Sequence, residues 1–237
     1  MANFVLPEKL DYDFQYELLN AIEFMEWFRP DYNDYTVYKE SEDLPENFVP
    51  VGSLEFIQQF GDIKPPVNIP EELFKDKYLK RDMEKIKAED LKQITDEAEK
   101  HGGMVFVKYL DQYKGLTSVM DSKEFYGIDA DINEGNYLVS EYLNIKSEFR
   151  AFINNHRLID VRRYRGPYNR DLDMGLIKDM IYEYDKDHPY TIDVAVTDRG
   201  TCLIEVHPFV SCGLYGFRDY TSIPQMTIQG YNWIKDE

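Results

Sequence analysis

An α+β protein is what this sequence predicts, and three observations predict it. Two strand–turn–strand hairpins lie late in the chain, an amphipathic helix sits between them, and a strand–turn–helix unit stands near the start. Successive hairpins build antiparallel sheet with helices set apart on its faces. The first hairpin pairs residues 149–153 with 158–164 through Asn154-Asn155-His156, residue types that tolerate turn geometry. The second pairs residues 192–196 with 202–206 through Asp198-Arg199-Gly200.

Taken in order, residues 13–27 carry Phe14, Leu18, Leu19, Ile22 and Met25 near helical spacing, and Arg29-Pro30 ends the run. That apolar face is a candidate interface between chains. Residues 48–51 read as a short strand, and Gly52-Ser53 caps a helix carrying Leu54, Phe56 and Ile57. The prolines of residues 61–70 interrupt regular structure. A boundary there makes residues 1–70 a small α/β region. Residues 71–100 read as charged helix, stopped by His101-Gly102-Gly103. Residues 104–107 read as a strand with Lys108 at its end, and residues 137–143 as another. Residues 171–184 place Leu172, Leu176, Ile177, Met180, Ile181 and Tyr184 on one side, a helix made to cover a sheet. The tail from Tyr220 reads as a closing helix.

Composition limits the function. With 43% hydrophobic and 15% aromatic residues the chain is folded, and its net charge of −18 repels phosphate backbones, which argues against nucleic-acid binding. No run is long enough to span a membrane, and the start lacks the basic and apolar regions of a signal peptide. Cys202 and Cys212 show neither metal spacing nor a disulfide framework, so they read as reduced thiols of a cytoplasmic protein, although two cysteines this close could bridge.

Two charge patterns bear on chemistry. Alternation along the second hairpin turns Ile192, Val194 and Val196 into a core, turns Asp193 the other way, and gives Glu205 and His207 a common face. Such a set is either a hard-cation site, since magnesium favours oxygen ligands, or a solvent-facing edge. Arg150, Arg157, Arg162, Arg163, Arg165 and Arg170 crowd one short span of an otherwise acidic chain. They suit a polyphosphate, or they pair with Glu148, Asp160, Asp171 and Asp173.

The order of these signals resembles the ATP-grasp superfamily. A strand ending in Lys108 is followed by Ser140-Glu141-Tyr142-Leu143, Ser147-Glu148-Phe149-Arg150, Arg162-Arg163, Asp193, and Leu203-Ile204-Glu205-Val206-His207-Pro208 with Gly213 after it. The likeness spans roughly residues 51–233 and is to small phage and bacterial proteins whose clade is named for two arginines and a lysine. The resemblance implies two α+β lobes clasping ATP, the smaller over residues 71–143 and the larger over 144–237. By the same resemblance Lys108 contacts the phosphates, and Arg81 replaces an earlier phosphate-binding lysine. Glu141, Tyr142 and Leu143 form the linker that reads adenine, and Glu148 accepts from the ribose hydroxyls. Arg150, Arg163 and Arg162 neutralise the transferred phosphoryl group, while Asp193 and Glu205 hold Mg2+. His207 departs from the family's asparagine, an exchange that moves the preference toward Mn2+ or inserts a water. The loop 109–117 has only Gly115 where relatives are richer in glycine, with Lys114 placed to compensate.

The implied reaction joins a carboxylate to an amine, on a peptide, protein or amino acid, through an acyl phosphate. It needs no protein nucleophile, and Ser211 and Cys212 lack the setting of one. Two other classes compete with it. One is a nucleotide-binding regulatory or structural protein without turnover. The other is an aromatic interaction protein, given 19 tyrosines and 14 phenylalanines. The expected location is the cytoplasm, including that of a host if the protein is phage-encoded.

Overall fold

The computed structural model describes residues 2–29, 33–40, 43–89, 91–101, 103–113, 115–121, 134–167 and 171–235. They carry three sheets flanked by helices. The first holds β1 (Ala2–Leu6), β2 (Asn33–Val37) and β3 (Phe48–Pro50), all parallel, in the order β2-β1-β3. As the central strand, β1 buries Phe4, Val5 and Leu6 in succession, which is why it shows no alternation to identify it beforehand. β2 was also unforeseen; at a sheet edge its NDYTV segment has no one-sided apolar pattern.

Helices α1 (Asp13–Glu26) and α2 (Leu54–Gln58) lie where the sequence places them. Gln15, only 1% exposed, accepts from the backbone N–H groups of Asp11 and Tyr12 at the start of α1. Ser53 accepts from the Phe56 N–H at 3.2 Å and caps α2. The α1 residues Phe14, Leu18 and Ile22 pack into a core with Phe152, Phe209 and Phe217 from the far end of the chain. The expected apolar interface of α1 is therefore largely an internal one.

The second sheet is antiparallel, with β4 (Met83–Ala88), β5 (Met104–Tyr109), β6 (Thr117–Asp121) and β7 (Gly135–Glu141) in the order β4-β7-β5-β6. Here the expectation of helix over 71–100 is corrected. Helix is confined to α3 (Asp76–Leu79) and α4 (Leu91–Lys100), a 3-10 turn covers Glu71–Leu73, and residues 83–88 are strand. Among the described residues β4 is an edge strand pairing only with β7, and edges favour charge. Glu84, Lys85 and Lys87 are exposed there, and MEKIKA consequently mimics a solvated helix.

The third sheet holds β8 (Ser147–Asn154), β9 (Arg157–Arg165), β10 (Tyr190–Thr197) and β11 (Gly200–Pro208), antiparallel in the order β11-β10-β8-β9. Both hairpins are as expected. Asn155 and His156 have φ of 48° and 62°, the left-handed pair of a type I′ turn whose twist matches the strands. Helix α5 (Met174–Tyr184), capped by Asp173, covers one face with Ile177, Met180, Ile181 and Tyr184. Helix α6 (Ile223–Ile234) closes the other face beside α1. The three sheets fall within 1–70, 71–143 and 144–237, the division we propose for the domains. No helix among the described residues is long and apolar enough to cross a membrane. Cys202 and Cys212 are free and buried.

Candidate active site

β5 supplies the first cation. Val105 and Val107 are fully buried in the core of their sheet, so strand alternation turns Phe106 and Lys108 to the opposite face. There the Lys108 ammonium donates to Glu205 Oε2 on β11. Burial opposes the charge on Glu205, but Lys108, with help from His207 and Arg150, holds its carboxyl below the usual range.

A bulge decides what β11 presents. Asp193 faces Glu205 in the register but Val194 faces Leu203, leaving Ile204 as the extra residue. Strict alternation would put Leu203 on the face of Glu205; the bulge sends Leu203 into the α5-side core and brings Ile204 beside Glu205. His207 keeps the Glu205 face, as expected from its spacing. Its Nδ1 lies 2.7 Å from the Pro208 carbonyl oxygen, and burial holds the imidazole neutral, so Nδ1–H donates and Nε2 keeps its lone pair.

Arg150 and Asp193 pair across β8 and β10. Nε and Nη2 of Arg150 each donate at 2.8 Å to the two Asp193 oxygens, and Nη1 donates at 3.1 Å to the Gly213 carbonyl. The side chains are 10% and 4% exposed. Tyr164 donates to the same carboxylate at 3.3 Å, and the guanidinium lies 5.8 Å and 5.4 Å from the Tyr164 and Tyr215 ring centroids. Burial works against both charges. It pushes Asp193 up, whereas Asp193 more than offsets it for Arg150, whose pKa rises. We take the pair as ionised, because two short parallel bonds to a guanidinium stabilise a carboxylate over its acid.

Two clefts adjoin at Lys108 and Glu205, which line both. The first, about 410 Å³, has apolar walls that include Phe106, Val119, Leu138 and Ile204, with Arg81, Glu141, Tyr142, Leu143 and Glu148 at its margin. Arg81 is fixed by donation to the Leu203 carbonyl at 2.8 Å. Glu148 accepts from Arg165 at 2.8 Å, while Glu141 is held by the Arg199 fork, one bond measuring 2.7 Å. The second cleft, about 420 Å³, is lined by Arg150, His207, Gly213, Tyr113 and Tyr215. Tyr113, on the β5–β6 loop, sits edge-on to His207, its hydroxyl buried without a hydrogen-bond partner. Burial pushes that phenol up to about 12, so it is a donor at neutral pH.

The structure thus brings Arg81, Lys108, Glu141, Tyr142, Leu143, Glu148, Arg150, Glu205 and His207 to adjoining clefts, with Asp193 directly beneath Arg150. It does not bring the other two arginines there. Arg163 pairs in register with Phe149, which places it on the sheet face opposite Arg150. Arg162 shares the Arg150 face but donates to Asp160 at 2.8 Å. Neither lines either cleft. Ion pairing with the neighbouring acids, one of the two readings of the basic span, is what Arg162 with Asp160 and Arg165 with Glu148 show, whereas Arg150 pairs with the distant Asp193. Lys114 and Arg170 lie outside the described residues.

Sequence reasoning missed Tyr113, Tyr164, Tyr215 and Asn68. Arg165, beside Glu148 across a hairpin, was already part of the basic span and takes the ion-pairing reading of it. Asn68 lines both clefts because its backbone bridges to Val206, which no pattern within residues 61–70 announces.

Comparison with known proteins adds family and fold. A family model of the ATP-grasp domain, family 2 of the clade named for two arginines and a lysine, matches residues 78–222. Among solved structures, a RimK domain ATP-grasp protein from Sphaerobacter thermophilus aligns with a TM-score of 0.63 at 12% identity, covering 96% of this chain and 100% of the other. Phosphoribosylamine–glycine ligase from Thermotoga maritima gives 0.60 at 12%, covering 100% and 77%. D-alanine–D-alanine ligase from Bacillus anthracis, complexed with ATP, gives 0.54 at 12%, covering 98% of each. At such identities the likeness speaks for the fold. None of the curated proteins compared matches the sequence.

Proposed function

The chain belongs to the second ATP-grasp domain family of the two-arginine, one-lysine clade, and on that premise we propose that it is an ATP-dependent ligase joining a carboxylate to an amine. The observation that carries the proposal is the Lys108–Glu205 contact, which stands where a nucleotide-sized cleft opens into a second cleft containing Arg150. ATP would enter the first cleft. Its apolar walls suit a base and its charged margin suits ribose and phosphates, the usual make-up of a cofactor pocket. The acceptors, a carboxylate and an amine on a peptide, protein or amino acid, would occupy the second.

In this reading a substrate carboxylate oxygen attacks the γ-phosphorus and ADP departs. The amine nitrogen then attacks the acyl carbon of the resulting acyl phosphate and inorganic phosphate leaves. Lys108 exchanges Glu205 for phosphate oxygens, Arg150 offsets the charge gathering at the transferred group, and the Tyr113 hydroxyl donates into the same space. Catalysis of this kind is placement and charge cancellation. Glu205 and the His207 Nε2 lone pair fit a divalent ion, a mixed oxygen and nitrogen set that suits Mn2+ at least as well as Mg2+. Bound there, the ion would neutralise phosphate charge. Asp193 does not fit as a ligand while Arg150 holds both its oxygens. The same saturation favours a second reading, a nucleotide-binding protein without turnover. We place either activity in the cytoplasm, where ATP is plentiful and the buried thiols Cys202 and Cys212 stay reduced.

Melting curves with ATP and Mg2+ or Mn2+, followed by ADP release with a panel of carboxylate and amine acceptors, test both readings. A melting shift with acceptor-dependent ADP supports the ligase, and a shift without ADP supports the second reading. No shift removes both.

A further inference from the structure

We propose that Glu84, Glu97 and His101 form a transition-metal site, taking Zn2+, that clamps helix α4 to strand β4. The inference does not depend on the proposed ligase activity. Their ligand atoms all lie within 4.8 Å of one another. The placement follows from the elements. Glu84 lies on the β4 face shared by Ile86 and Ala88, and this is the face that packs with Ile94 of α4. Ile94 and Glu97 of α4, with His101 directly after its last residue, recur at the spacing of a single helical face. The helix thus begins this stripe with a fully buried isoleucine and ends it with two metal-ligating side chains, where packing alone would call for apolar residues.

A second observation is independent of this spacing. Glu97 Oε2 and His101 Nε2 are both shut off from solvent, and neither has a hydrogen-bond partner. The nearby Lys100 ammonium takes only the other oxygen, Oε1. A buried polar atom left in this state destabilises the fold, because it has given up water without gaining a partner. One cation would satisfy both atoms together, with Glu84 as the third ligand. Two carboxylates and an imidazole match the donor types of zinc sites, and the atoms need to close to roughly 3.4 Å for tetrahedral bonds of about 2.0–2.1 Å. Glu84 is exposed, so rotation of its side chain supplies that closure. Lys100, 63% exposed, can turn to solvent as the ion enters. The net charge of −18 favours cation uptake.

The test uses the full chain in a Glu205→Gln, His207→Gln background, which removes the cleft's metal ligands. After chelation and dialysis, zinc is titrated calorimetrically without nucleotide, and the melting temperature is recorded with and without zinc. One zinc per chain and a raised melting temperature are expected. Adding His101→Gln is expected to weaken binding roughly tenfold or more, since even outer partners of zinc ligands are worth 10–100-fold. Glu84→Gln, at an exposed position, should weaken binding while leaving the zinc-free melting temperature in place, which keeps the test valid if the His101 variant folds poorly. Absence of zinc binding in the background protein, or binding unchanged by both substitutions, overturns the proposal.

Discussion

Replacing Asp193 with alanine tests whether the buried ion pair beneath the second cleft is structural. The substitution leaves Arg150 charged in a site where its side chain is 10% exposed, with only the Gly213 carbonyl at 3.1 Å, among the described residues, still accepting from it. Two charge-assisted bonds of 2.8 Å disappear while the cost of burying the guanidinium remains. Breaking one side of such a pair destabilises a protein by about 3–5 kcal/mol. For a chain of this size that corresponds to a drop of roughly 6–20 °C in melting temperature, at about 2–4 °C per kcal/mol. Urea denaturation followed by tryptophan fluorescence measures the loss directly. The double variant Arg150→Met, Asp193→Leu separates an uncompensated charge from a simple cavity. Removing both charges should restore stability to within about 1 kcal/mol of the parent or above it, as replaced buried pairs often do. If the single variant loses less than about 1 kcal/mol, the figure for an exposed pair, the carboxylate is not needed to hold Arg150 and is available for a metal after all.

Glu205→Gln should release Lys108, tightening metal-free ATP binding roughly 5–30-fold for a half-buried pair worth about 1–2 kcal/mol, while metal-dependent turnover is lost; calorimetry with and without EDTA shows whether these effects move in opposite directions. His188 stacks on Trp233 with ring centroids 4.0 Å apart, and burial, reinforced by Lys186, lowers its pKa to about 4. The unfolded chain therefore binds this proton more readily between pH 6.5 and 4, so stability should be full above pH 6.5 and fall as the pH drops through that window. His188→Gln should flatten this part of the profile, and a slope unchanged by the substitution assigns it to other groups. Gly166 has φ of +79°, and a β-carbon there would lie 2.1 Å from the Lys146 carbonyl oxygen, so Gly166→Ala should lose about 2–3 kcal/mol in the same urea assay; a neutral result would mean the β8–β9 edge can move aside.

Much of the fold is local information. The Asn154-Asn155-His156 and Asp198-Arg199-Gly200 turns, the Ser53 cap and the apolar stripe of α5 each involve residues within a few positions of one another. Their geometry follows from dihedral preference and period, so the sequence alone determined the two hairpins, the helix between them and the order of Lys108, Glu148, Arg150, Asp193 and Glu205. That order was enough for the family. What it left undecided depends on contacts between distant residues. Whether MEKIKA is helix or strand is settled by β7 pairing with it, because an edge strand and a solvated helix both expose charge. Whether Leu203 or Ile204 joins Glu205 is settled by a one-residue bulge that reverses the alternation. Which arginine meets the cleft is settled by register, since one step along β9 exchanges one face of the sheet for the other and leaves Arg163 opposite Arg150. Only the tertiary structure could close Lys108 on Glu205 from 97 residues away, and it did so because a charge leaving water must be compensated by an opposite charge at hydrogen-bond distance.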